Sequence, residues 1–308
     1  IDLGEADNAS ARFGTPTEDA VILVGTNDDA GVISDFWRYD LATGTTTRLT
    51  DDREGTSTFI YDVLKVGDDV LFTTAGPDGP FAMSRLDPVT GEAADLAVGS
   101  ETAPGAFGDY AAAGDQLYFT VQDGTDDHSA LWRYDSNTDG AELVADVYEG
   151  VADAGVQEFV LLGDDVLFTA KDGTGGSELW HHDGATGETA LVADPRSDGY
   201  ARIGELTVVG DYVYFTADDG VRGEELWAYE ASSGTADVLV DLVPGRTGSN
   251  PSHLTEADGV LYFAAGTAGS RQLYRYDAEI GDFGAINPDG DVFSPGPIAS
   301  VSENNPIA

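Results

Sequence analysis

The chain has 308 residues, 41% of them hydrophobic, with 57 acidic against 14 basic side chains, a formal net charge of −43 and no cysteine. Such a field repels nucleic acid and anionic membrane, which both need Lys and Arg to displace their counterions, and the lack of cysteine excludes disulfides and thiolate metal sites. The apolar fraction is enough for a buried core, yet no apolar run reaches the ~20 residues of a membrane-spanning helix, so neither global disorder nor direct membrane insertion is expected.

In chain order, Ile1-Asp2-Leu3 comes first. It lies 18 residues before Asp19, as Val240-Asp241-Leu242 lies 18 residues before Asp258. It therefore reads as the fourth strand of a preceding unit. In a closed ring that unit is the last one, whose own fourth strand near 284–288 is poor, with Gly, Asn and Pro. Next come Val21-Ile22-Leu23 and then Phe36-Trp37-Arg38-Tyr39-Asp40. The second of these motifs returns as Met83-Ser84-Arg85-Leu86-Asp87, Leu131-Trp132-Arg133-Tyr134-Asp135, Leu179-Trp180-His181-His182-Asp183, Leu226-Trp227-Ala228-Tyr229-Glu230 and Leu273-Tyr274-Arg275-Tyr276-Asp277. The acidic ends are 47, 48, 48, 47 and 47 residues apart.

A Gly-Asp turn before an apolar run keeps the same spacing: Gly67-Asp68 before Val70, Gly114-Asp115 before Leu117, Gly163-Asp164 before Val166, and Gly210-Asp211 before Val213. Asp258-Gly259 before Leu261 is the fifth copy. Each unit reads as four short strands rich in Val, Leu, Tyr, Phe and Trp, bounded by turn residues. No stretch has helical periodicity. Four strands in about 47 residues, repeated six times, predict an all-β fold: a six-bladed β-propeller of four-stranded antiparallel blades over residues 1–290. Residues 291–308 read as a tail or linker.

The acidic composition suits a saline or calcium-rich medium, because salt screens charge to within about 3 Å at 1 M. The chain begins at Ile1 rather than Met, which fits processing or a piece of a longer protein.

Glu178-Leu179-Trp180-His181-His182-Asp183-Gly184 resembles the ELWxxDGT repeat of bacterial secreted proteins, with Ala185 where that motif has Thr. Glu225-Leu226-Trp227 repeats its first half. The resemblance implies a propeller-like repeat in large secreted, often surface-bound proteins, and brings no catalytic residues with it. The tail segment Ser300-Val301-Ser302-Glu303-Asn304-Asn305-Pro306 resembles the opening strand of a cadherin-like domain, which implies that Glu303 is a calcium ligand. Val301 also lies 47 residues after Leu254, so a decayed seventh copy of the first strand is an equal reading.

One polar position stands out. Five residues before each turn, on the strand expected nearest the axis, lie Asp62, Asp109, Glu158, Glu205 and His253, each followed by an apolar residue. Alternation turns the two toward opposite faces. Four carboxylates and a histidine at one level of a channel repel one another unless a cation neutralises them, which makes Ca²⁺ the expected cofactor. The other reading is a wide channel with each carboxylate hydrated. His128, His181 and His182 have no metal-ligand spacing. The four tryptophans at one repeat position read as core between blades rather than as a sugar platform. Asn27-Asp28-Asp29, Asp123–Asp127, Asp172-Gly173 and Asp218-Asp219-Gly220 read as solvated turns rather than calcium loops.

The expected function is that of a non-catalytic module of a secreted or cell-surface protein, in adhesion, assembly or extracellular binding. Its partner would be a protein, a glycan, or further domains or copies of the same polypeptide. A propeller-borne glycan- or phosphate-ester-cleaving enzyme is the alternative, because a ring of carboxylates can offer two at the roughly 5–10 Å that glycosidases need.

Overall fold

The computed structural model describes residues 10–26, 34–50, 59–75, 82–96, 107–122, 129–138, 140–145, 147, 155–173, 176–197, 199–286 and 292–293. The chain divides into two compact units, Ile1–Val144 and Ala145–Ala308.

The first unit holds three sheets. The first is built from β1 (Ser10–Pro16), β2 (Ala20–Thr26), β3 (Ser34–Asp40) and β4 (Thr46–Arg48). The second is β5 (Phe59–Val66), β6 (Asp69–Ala75), β7 (Ala82–Leu86) and β8 (Ala93–Asp95). The third is β9 (Phe107–Ala113), β10 (Gln116–Gln122), β11 (Ser129–Asp135) and β12 (Gly140–Ala145). The second unit holds the fourth sheet, β13 (Phe159–Leu162), β14 (Asp165–Ala170), β15 (Glu178–His182) and β16 (Thr189–Ala193). The fifth is β17 (Gly204–Val209), β18 (Tyr212–Asp218), β19 (Glu224–Glu230) and β20 (Thr235–Val240). The sixth is β21 (Ser252–Ala257), β22 (Val260–Ala265), β23 (Gln272–Asp277), β24 (Asp282–Ile286) and β25 (Val292–Phe293). Strands are hydrogen-bonded to their chain neighbours in every sheet. Among the described residues there is no helix.

The second strands explain the packing. In β14 every residue after Asp165 is buried, and in β18 Val213–Ala217 are all buried. A strand that reads as a continuous apolar run rather than an alternating one is covered on both faces. The cover is the neighbouring sheet. Within the first unit, Ile22, Val24 and Phe36 pack with Val70, Phe72 and Leu86, while Leu71 and Met83 pack with Leu117, Phe119 and Tyr134. Within the second unit, Leu167 and Leu179 pack with Val213, Phe215 and Trp227, while Tyr214 and Leu226 pack with Leu261, Phe263 and Tyr274. Each fully buried phenylalanine here (Phe119, Phe215, Phe263) contributes about 1.5–3 kcal/mol. Consecutive four-stranded meanders that stack face to face are the blades of a propeller-type β fold.

The first turn residue has a positive φ in each clear copy: 55° at Gly67, 58° at Gly114, 65° at Gly163 and 59° at Gly210. In the sixth sheet Asp258 takes that place at 54° and is followed by Gly259 at 78°. Two successive positive φ values match a type I′ hairpin, where Asp-Gly is favoured.

The weak fourth strand expected near 284–288 is a regular strand. β24 keeps unbroken register with β23 from Asp277↔Asp282 to Leu273↔Ile286. Phe283 anchors it by stacking on Tyr274, with ring centroids 5.7 Å apart, while Ala285 is fully buried. Its outer edge carries an unforeseen fifth strand, with Ala285↔Phe293 and Ile286↔Val292 paired. The expected pairing of Ile1–Leu3 lies outside the described residues.

Candidate functional site

The first-strand acids sit at a break in the ladder. Register shifts between Ile60 and Val63 in β5, between Gly204 and Thr207 in β17, and between Ser252 and Thr255 in β21. The simple alternation expected there is therefore interrupted by a bulge, which leaves a backbone N–H without its ladder partner. Glu205 (φ 59°) and His253 (φ 60°) adopt left-handed backbone at this point, a conformation that non-glycine residues hold only when their surroundings demand it.

The carboxylates supply that demand in the second unit. Glu158 Oε1 accepts from the Leu206 N–H at 2.9 Å, and Glu205 Oε2 accepts from the Leu254 N–H at 2.9 Å. Each acid thus reaches one sheet onward and satisfies an amide of the next first strand. Asp62 is too short for this role. It accepts from the Thr73 hydroxyl at 3.3 Å and shares a hydrogen bond with Tyr110 of the next sheet. Burial first, and then the Asp62 charge, push the Tyr110 phenol above its usual range. Asp109 and His253 are exposed, and His253 Nδ1 lies 3.0 Å from the Ser252 hydroxyl. Among the described residues no three His, Asp or Glu side chains converge to hold a metal. Of the five positions expected to surround Ca²⁺, Asp62, Glu158 and Glu205 act one by one as links between adjacent sheets. Glu303 lies outside the described residues.

The acid that ends each third strand has a different task. Asp40 Oδ1 accepts from the N–H groups of Ala42 (3.1 Å) and Thr43 (2.8 Å). Asp87 does the same for Val89 and Thr90, and Asp183 for Ala185 and Thr186. These are Asx turns, in which the side chain mimics a backbone acceptor. The Thr43 amide and the Arg38 guanidinium hold the Asp40 carboxyl down at about 2. Asp219 closes its loop likewise, accepting from Val221 N–H (2.8 Å), Arg222 N–H (2.7 Å) and the Arg222 side chain (2.5 Å).

A further acidic position escaped the reading of the sequence, although its signal is the first letter of the Glu-Leu-Trp motif. Asp35, Glu178 and Glu225 share it and are all buried, at 2%, 2% and 0% exposure. Glu178 accepts from the Asp172 N–H at 3.0 Å. Glu225 Oε1 accepts from the Ser249 N–H at 2.9 Å, and Oε2 from the Ser249 hydroxyl and from the Leu242 N–H at 3.3 Å. Burial is the main cause that lifts the Glu225 carboxyl to about 7, with the Asp241 charge adding to it.

Trp37 and Trp227 are core residues, as the repeat position implies. The Trp227 indole stacks on Phe215 and donates to the Ala217 carbonyl at 3.2 Å. His182 is buried with Nδ1 3.0 Å from the Thr189 hydroxyl, and His181 Nε2 lies 3.1 Å from Asp165.

No family model and no curated protein matches this chain by sequence. In structure it is similar to Porphyromonas gingivalis dipeptidyl peptidase 4, with a TM-score of 0.62 and 10% identity over 91% of this chain and 45% of that one. The β-propeller domain of the trilobed protease from Pyrococcus furiosus overlaps with a TM-score of 0.47 and 11% identity, over 90% of this chain and 84% of that one. A prolyl endopeptidase structure overlaps 90% of this chain with a TM-score of 0.43 and 13% identity, and 49% of its own length is covered. The chain thus spans about half the length, or less, of the peptidases that it matches. Likeness at such low identity concerns the fold alone.

Proposed function

We propose that the six sheets close into one six-bladed ring, and that the chain is a non-catalytic binding module of a larger exported protein, acting in adhesion or assembly. The observation that carries this reading is the use made of the repeated carboxylates. Asp40, Asp87, Asp183, Glu158, Glu205 and Glu225 all accept hydrogen bonds from the chain's own backbone. Groups held in this way stiffen a frame, whereas a hydrolase needs a carboxyl free to meet its substrate. A rigid frame presenting variable loops is the usual way in which a repeat fold recognises partners. The net charge of −43 and the segment Glu178–Gly184 that resembles a secreted-protein motif support export.

The test has two arms. The chain is first screened on glycan arrays and by sedimentation for self-association, each in 1 M and in 0.1 M NaCl. Saturable glycan binding or a defined oligomer supports the module. The same preparation is then assayed on chromogenic glycosides and phosphodiesters. Turnover lost on replacing Asp62, Asp109, Glu158 or Glu205 by the amide overturns it.

A further inference from the structure

We propose that Glu225 and Asp241 form a binding site for a hard divalent cation, calcium, beneath the segment 242–250. Two carboxylates meet here in the interior. Glu225 is fully buried and Asp241 is 9% exposed. Asp241 Oδ1 is buried and accepts no hydrogen bond. Its charge acts on Glu225, and the residue next to it, Leu242, donates its N–H to Glu225 Oε2. Among the described residues neither carboxylate has an arginine or lysine ion pair.

Two like charges so placed are neutralised by a proton or by a cation. The donors around Glu225 favour the cation. Two of its three partners are backbone N–H groups, which cannot accept a proton's hydrogen bond, so the side chain is built to be used as a carboxylate. The Ser249 hydroxyl donates to Oε2 and keeps its lone pairs for a metal. Two carboxylates and a hydroxyl are all oxygen, the ligand type of calcium rather than of zinc or copper. One sheet earlier Glu178 is likewise buried and feels the charges of Asp172 and Asp194, but Asp194, 47 residues before Asp241, is exposed. In the first sheet the equivalent Asp35 instead has Arg48 at 2.6 Å. An internal cation therefore fills the need in one sheet, and an external one fills it in the other.

Chelator-treated protein is equilibrated with ⁴⁵Ca²⁺ in 1 M NaCl, and bound ions per chain are counted for the wild type, Glu225→Gln and Asp241→Asn. Each variant is expected to bind one calcium fewer than the wild type and to lose part of the rise in melting temperature caused by calcium. Asp241→Asn is the decisive variant if Glu225→Gln does not fold, because Oδ1 has no hydrogen bond to lose. An unchanged count in the folded variants overturns the site. So does a wild type that binds no calcium and is stabilised only by acidification through neutral pH, because a proton then does the neutralising.

Discussion

Asp35 in β3 and Glu225 in β19 occupy the same place in their sheets, and they are held by different partners. In the first sheet Trp37 pairs across the strands with Arg48. The guanidinium bonds Asp35 at 2.6 Å and lies 5.9 Å from the Trp37 ring centroid. In the fifth sheet Trp227 pairs with Val238, which is 4% exposed and belongs to the core. One copy of the position is a buried ion pair, and the other is an apolar wall behind a carboxylate that has no arginine. The polar partner on the fourth strand decides which. Where Arg is replaced by Val, the acid turns to backbone amides and to Ser249.

This contrast is broken most directly at Arg48. Arg48→Met keeps the stem over Trp37 but takes from the buried Asp35 its guanidinium, leaving the Thr50 hydroxyl at 3.2 Å among its donors, so a loss of about 2–4 kcal/mol is expected in urea unfolding. Asp35→Asn in the same background should restore part of it. An Arg48→Met protein as stable as the wild type would show that Asp35 does not depend on its cation.

A smaller effect is expected at Glu205, which works without any cation. Glu205→Ala removes the acceptor of the Leu254 N–H and should cost about 1–2 kcal/mol, while Glu205→Gln, which can still accept, should cost less. Equal losses for the two variants would mean that charge rather than hydrogen bonding matters there.

The pH dependence sharpens the comparison further. The Glu225 carboxyl lies at about 7 in the folded chain against an ordinary value of 4.5. Between those values the folded state holds the extra proton, so in chelator this group makes stability fall as pH rises from about 4.5 through about 7. Melting curves of wild type and Glu225→Gln should diverge over that range, and added calcium should remove the divergence. Parallel curves would count against burial as the cause.

The mildest effect belongs to the turns. Asp40 has its carboxyl at about 2 against 3.8. Its contribution is present above pH 3.8 and is lost as pH falls toward 2. NMR titration should find Asp40 lowest, with Asp87 and Asp183 also below the ordinary carboxylate range. An ordinary midpoint for Asp40 would dissolve the Asx turn.

The strands other than β25, their turns and the order of the sheets were legible in the chain. The signals are local: a positive-φ turn residue, an apolar run and an acid that caps the following turn act within a few residues of one another. The sequence also marked the position of Asp62, Asp109, Glu158 and Glu205. The tertiary structure alone decided what that position does. The bulge that frees the Leu206 and Leu254 amides shows no separate mark in the chain, and the acids that meet them come from 48 and 49 residues earlier. The burial of Glu225 was equally illegible. Glu178 and Glu225 read as letters of a motif, and whether such an acid faces solvent, an arginine or a second carboxylate depends on side chains brought in by the fourth strand and the loop beyond it. Periodicity fixes where a side chain stands, and only packing fixes which neighbours share its solvent-free space.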